Sequence, residues 1–151
     1  MLFNAHSSLP YSANPWDRAG IVSDANGGTT GLMFSKLSDG QPGLTVYHYD
    51  GGTPLWKQVT VPCPINGWHL AQARWTGSYL QLRVDNAPWS QVVGEWPTVF
   101  ASYAMRIGQN WNATKGFDGD VAELITANVG LSTEQLDLVR NELSARYGLS
   151  L

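Results

Sequence analysis

The residues best spaced for chemistry are the acids of Asp118-Gly119-Asp120-Val121-Ala122-Glu123. Paired carboxyls can hydrolyse a glycosidic bond. In the retaining mechanism the two groups stand ~5–5.5 Å apart on one face, one as nucleophile and one as acid/base. On a strand, alternate residues share a face, so Asp118 and Asp120 stand together. Glu123 lies an odd number of residues further on and points the other way unless the strand bulges. Strand parity therefore favours a structural role for these acids over catalysis. Glu123 is expected to share its face with Val121 and Ile125. A half-buried carboxylate there needs a cation, and Arg74, Arg83 or Arg106 is expected to supply it.

A second chemistry is sugar recognition, which needs aromatic faces for stacking and amides or carboxylates to read hydroxyls. The loop Gln109-Asn110-Trp111-Asn112 joins amides to an indole and is the leading candidate. Trp96 and Trp56 lie near turns, and His48, in Tyr47-His48-Tyr49-Asp50, ends a strand that could face a ligand. Packing of the sandwich or a protein interface would use the same indoles equally well. The three histidines, His6, His48 and His69, have no metal-ligand spacing and no nucleophile motif beside them. Cys63, the single cysteine, sits between two prolines and reads as a small half-buried hydrophobe. No phosphate loop is present, and no metal or cofactor is expected.

The elements that must position these residues are short strands. The chain has 151 residues, enough for one domain with a real core. Charged residues are only 14% and the net charge is −3, which leaves no basic footprint for nucleic acid. The start, with no basic segment and no apolar run, has no signal-peptide pattern, and no stretch is long and apolar enough to span a membrane. Synthesis and folding in a cytoplasm are expected. Residues 1–19 read as an irregular N-terminal arm with room for one short strand. Strands are predicted over 20–23, 31–37, 44–49 and 56–61, separated by Asn26-Gly27-Gly28, Ser38-Asp39-Gly40 and Asp50-Gly51-Gly52.

The clearest alternation is the hairpin 68–85. Leu80, Leu82 and Val84 face one way, opposite Gln81, Arg83 and Asp85. Further strands are predicted over 89–93, 105–108 and 117–127. One helix closes the chain over 132–147. Ser132 and Gln135 form a capping box, Gly148 is placed for a left-handed stop, and Leu136, Val139, Leu143 and Tyr147 make an apolar stripe. The pattern predicts an all-β antiparallel sandwich over 20–151 with one C-terminal α-helix.

Four segments carry a family resemblance: 67–86 (GWHLAQARWTGSYLQLRVDN), 105–110 (MRIGQN), 117–135 (FDGDVAELITANVGLSTEQ) and 143–149 (LSARYGL). In this order they resemble a laminin-G-like domain of the concanavalin A-like lectin/glucanase superfamily, in its bacterial and phage form, with a pentraxin-like C-terminal segment. The resemblance implies a jelly-roll β-sandwich. Glucanases of the superfamily carry paired acids at alternating strand positions, but here Asp118 stands where they have Glu. The phrase Gly119–Leu124 matches the non-catalytic members. Between Val93 and Gly108 only Glu95 could serve a pentraxin-type calcium site, so none is expected. The family also has a strand before the segment equivalent to 20–37, so an open sandwich edge is expected here.

The resemblance and the missing signal peptide together lead to the expectation of a non-enzymatic recognition or coat module. Its expected setting is a phage virion surface, as a capsid decoration or head-fibre/tail-appendage protein with lectin-like glycan binding. Other virion or surface proteins, or further copies of the chain, are its expected partners. A purely structural virion subunit is the second reading and a glucanase-like hydrolase the third.

Overall fold

A computed structural model describes residues 1–6, 19–24, 30–49, 56–93, 105–109 and 116–150. The elements run in chain order: β1 (Leu2–Ala5), β2 (Ala19–Asp24), β3 (Thr30–Lys36), β4 (Pro42–Tyr49), β5 (Trp56–Pro62), β6 (Trp68–Trp75), β7 (Tyr79–Val84), β8 (Ser90–Val93), β9 (Met105–Ile107), β10 (Gly119–Glu123) and α1 (Thr133–Tyr147). They form two five-stranded sheets, ordered β10-β1-β6-β7-β8 and β5-β4-β3-β2-β9. Every strand pairing in both is antiparallel. The chain is thus mostly β with one C-terminal helix.

The sheets share one core. Phe3, Ala5, Ala71, Leu80, Leu82 and Val84 of the first sheet meet Ile21, Phe34, Leu44, Val46, Val59 and Val61 of the second. These are alternate positions on their strands, as burial of one sheet face requires. Phe3, Phe34 and Phe117 form an aromatic knot, with ring centroids 5.6–6.3 Å apart and Phe3 edge-on to both of the others.

β1 is the one short strand for which the N-terminal segment left room, and residues 7–18 lie outside the described residues. Leu2–Ala5 is an interior strand, zipped between β10 and β6. Its alternation serves two layers. Phe3 and Ala5 enter the core between the sheets, while Leu2 joins Leu70 and Leu143 under the helix. The first residues therefore supply an interior strand ahead of β2.

The helix lies on the outer face of the first sheet. Its N-terminus shows the expected box, with Gln135 N donating to Ser132 Oγ (3.2 Å) and Ser132 N donating to Gln135 Oε1 (2.9 Å). Gly148, at φ 65°, ends it in the left-handed conformation. Leu136 and Leu143 are buried and Val139 packs beside them, but Tyr147 is exposed. What receives the helix is the polar side of the hairpin. Gln72 Nε2 donates to Leu136 O (2.6 Å), and Arg74 donates to Leu131 O and Thr133 Oγ1 (both 3.0 Å). Arg83 donates to Gln72 Oε1 (2.7 Å) and to Asp137. Both guanidiniums lie over the Trp89 ring, 4.6 and 4.5 Å from its centroid.

Docking of the helix depends on its buried leucines rather than on all its apolar residues. Leu143→Ala is expected to lower the unfolding free energy by about 2–5 kcal/mol. Leu138→Ala, at a side chain 68% exposed, is expected to leave it within about 0.5 kcal/mol. Urea unfolding of the two variants checks the contrast.

Candidate functional site

β10 carries the acids and departs from simple alternation. Its register on β1 runs Ala5↔Gly119, Asn4↔Asp120 and Phe3↔Val121, and then Leu2↔Glu123. Ala122 is the extra residue of a bulge. Leu2 and Phe3 point to opposite faces, so Glu123 and Val121 do as well. Glu123 therefore shares the outer, helix-bearing face with Asp120 instead of the inner face with Val121, which corrects the parity expected from the sequence.

The cation that answers Glu123 is also different from those expected. Arg146 Nη1 reaches its two carboxylate oxygens at 3.3 and 3.1 Å, and Tyr147 Oη donates to Oε2 at 3.1 Å. Both partners come from the last turn of α1. Arg74 and Arg83 are committed to the helix junction, and Arg106 sits on β9 in the other sheet, in register with Ser23. The hydrogen bond to Glu123 raises the Tyr147 hydroxyl above its ordinary pKa.

At the other end of β10, His6 stands between the remaining two acids. Its Nε2 lies 3.2 Å from Asp120 Oδ2 and its Nδ1 3.6 Å from Asp118 Oδ1, while its backbone N donates to Asp118 O (3.0 Å). The two ring nitrogens address different carboxylates, so one cation could not be held by the ring and both acids together. Among the described residues no group of His, Cys, Asp or Glu is arranged to hold a metal.

A third charged contact lies across the β6–β7 hairpin. Asp85, at φ 54°, accepts from Leu70 N (2.8 Å) and from His69 Nδ1 (2.7 Å). Both carboxylate oxygens are spent holding strand to strand. Cys63 is fully buried near this pair, and burial, aided by the Asp85 charge, pushes its thiol up to about 12. A thiol so far from ionisation is no nucleophile.

His48 does not face solvent. It is buried on the core side of β4, with Nδ1 2.9 Å from Thr30 Oγ1 and its ring edge-on to Trp75. Thr30, Leu32 and Phe34 share that side of β3, so the same alternation that buries Phe34 buries His48. Trp96, Asn110, Trp111 and Asn112 lie outside the described residues. Trp56 begins β5, and its side chain is outside them too.

A group that sequence reasoning missed lies beyond the C-terminal end of the helix, on the same outer face. Trp68 on β6, Asn4 on β1 and Asp120 on β10 are direct cross-strand neighbours. Trp68 is 38% exposed and the Asp120 side chain 59%. Asn4 Oδ1, between them, is buried and accepts no hydrogen bond from the described residues. The only sequence signal for this row is parity: Asn4 alternates with the apolar Phe3 and Ala5, and Trp68 with His69.

Comparison of the chain with family models, with curated proteins and with solved structures gives no match in any of the three.

Two outcomes test this account of the charged groups. Cys63 is expected to be silent to a thiol-reactive dye at neutral pH in the folded protein and to react fully in denaturant, as absorbance will show. Asp137 is held below its ordinary value by the hydrogen bond from Arg83, so its contribution is present at neutral pH and lost on acidification. Asp137→Asn is accordingly expected to melt below the wild type at neutral pH. The gap should close as the pH falls below about 4, by circular dichroism.

Proposed function

We propose that the protein is a non-enzymatic recognition module with a laminin-G-like, concanavalin A-like jelly roll and a glycan as its small ligand. The observation that carries the non-enzymatic part is the engagement of all three acids on and beside β10. Asp118 and Asp120 face His6, and Glu123 is tied to Arg146 and Tyr147. Catalysis by a carboxyl pair needs one acid held protonated and the other placed as nucleophile or base. Here each acid is instead taken up by a histidine, arginine or tyrosine of the same chain. The family reading rests on the sequence motifs, and the two antiparallel sheets with a closing helix are compatible with it.

In the proposed setting the module sits on a phage particle or bacterial surface, as a capsid decoration or head-fibre/tail-appendage protein. It is made in the host cytoplasm and docked on other virion proteins or on copies of itself. A second reading, a structural subunit that binds only protein, is favoured by the edge strand β9. There Met105 and Ile107 are 54% and 55% exposed. Exposed apolar side chains on a sheet edge suit a protein partner.

A glycan array with the purified chain separates these readings. Specific binding without release of reducing sugar is the expected result, and silence across all glycans favours the structural subunit. Reducing-sugar release abolished by Asp120→Asn or Glu123→Gln would overturn both.

A further inference from the structure

We infer that the row Trp68–Asn4–Asp120, on the outer face of the first sheet, is a binding site for a neutral pyranose. This deepens the recognition reading above and rests on it.

The row is built by register rather than by any one segment. Asn4 faces Trp68 across β1 and β6 and faces Asp120 across β1 and β10. With strands spaced about 4.7–4.9 Å apart, the Trp68 and Asp120 backbones stand about 10 Å from one another with Asn4 midway. The row continues the face that carries Leu2 and Leu70. There Leu143 of the helix covers both leucines, while the next ladder position is left open to solvent at its two ends.

The chemistry of the three side chains is complementary. Trp68 offers a partly exposed indole, an aromatic face on which the C–H groups of a pyranose ring can stack. Asp120 uses Oδ2 toward His6, which leaves Oδ1 as a charged acceptor for a hydroxyl. Asn4 adds an amide whose oxygen is shielded from water and has no donor among the described residues. A buried acceptor left without a donor is costly to the free protein. A ligand hydroxyl, no smaller than water, reaches that oxygen only when a covering side chain moves aside on binding, and it then supplies the missing donor.

The charges around the row choose among sugars. Asp118, Asp120 and Glu123 all lie on or beside β10, and Glu142 lies on the nearby helix end. Among the described residues the Arg146 cation is shared between Glu123 and Glu142 and His6 lies beside Asp118 and Asp120, so four carboxylates stand near two basic side chains. The field is therefore acidic. It repels sialic and uronic acids and accepts neutral pyranoses through donated hydroxyls.

The full chain, ¹⁵N-labelled, is titrated with methyl glucoside, methyl galactoside, methyl mannoside and N-acetylglucosamine. Glucuronic acid and sialyllactose form the acidic arm. At least one neutral sugar is expected to shift the Trp68 indole N–H and the Asn4 side-chain amide, and the acidic sugars are expected to bind about tenfold more weakly or not at all. Trp68→Ala and Asp120→Asn are each expected to weaken the neutral sugar about tenfold while Leu138→Ala, on the exposed side of the helix, leaves it unchanged. Melting curves of the variants guard against unfolding, and the wild-type shifts stand even if Trp68→Ala fails to fold. Binding that moves neither Trp68 nor Asn4, or that survives both substitutions, overturns this site and leaves the recognition reading intact. A preference for the acidic sugars overturns the proposed ligand class. Silence to every sugar on both the titration and the array overturns the site and the glycan reading together.

Discussion

The structure depends on a strand of four residues, β1, inserted between β10 and β6. Without it the first sheet would be two separate pieces, since among the described residues β10 pairs only with β1. Its side chains serve both layers at once. Phe3 and Ala5 fill the core between the sheets, and Leu2 packs with Leu70 against the buried Leu143 of the helix. Met1 extends the same ladder, its carbonyl accepting from Ala71 N at 2.9 Å. So short a strand holds its place because nearly every side chain is buried on one side or the other.

From that strand follow the helix position and the geometry of the acids. The helix has two anchorages, each of a different kind. At its start a polar junction of Gln72, Arg74 and Arg83 donates to the Leu136 and Leu131 carbonyls and binds Asp137, with Trp89 stacked against both guanidiniums. At its end Leu143 seats on Leu2 and Leu70, and Arg146 and Tyr147 hold Glu123. The bulge at Ala122 makes the second anchorage possible, because only on the outer face can Glu123 meet the last turn. A carboxylate that parity alone would direct into the core becomes a clasp between the closing strand and the closing helix.

The sequence was legible wherever structure is dictated locally. The capping box, the glycine stop and the alternation of 68–85 each arise from residues close in the chain, and each is found. The strand predicted over 117–127 shortens to Gly119–Glu123, since the bulge and the turn that follows end the ladder. What could not be read was long-range. Leu2–Ala5 has too few residues to show a period, and its partners are some 65 and 120 positions away. Nothing local shows that Gln72 and Arg83, on the polar side of the hairpin, are buried under a helix and bonded to it. His48 looked exposed beside its tyrosines, yet strand parity places it in the core. The row Trp68–Asn4–Asp120 was invisible for the same reason as β1, because register alone brings it together.

The most direct test of this account is native-state hydrogen exchange at the backbone amides of residues 2–5, compared with those of β6. If β1 is an interior strand on which core, helix and outer face all rely, the amides bonded into the ladder will exchange only through global unfolding, at the same free energy as the β6 amides. Exchange at the rate of an unstructured arm, while β6 stays protected, would contradict it.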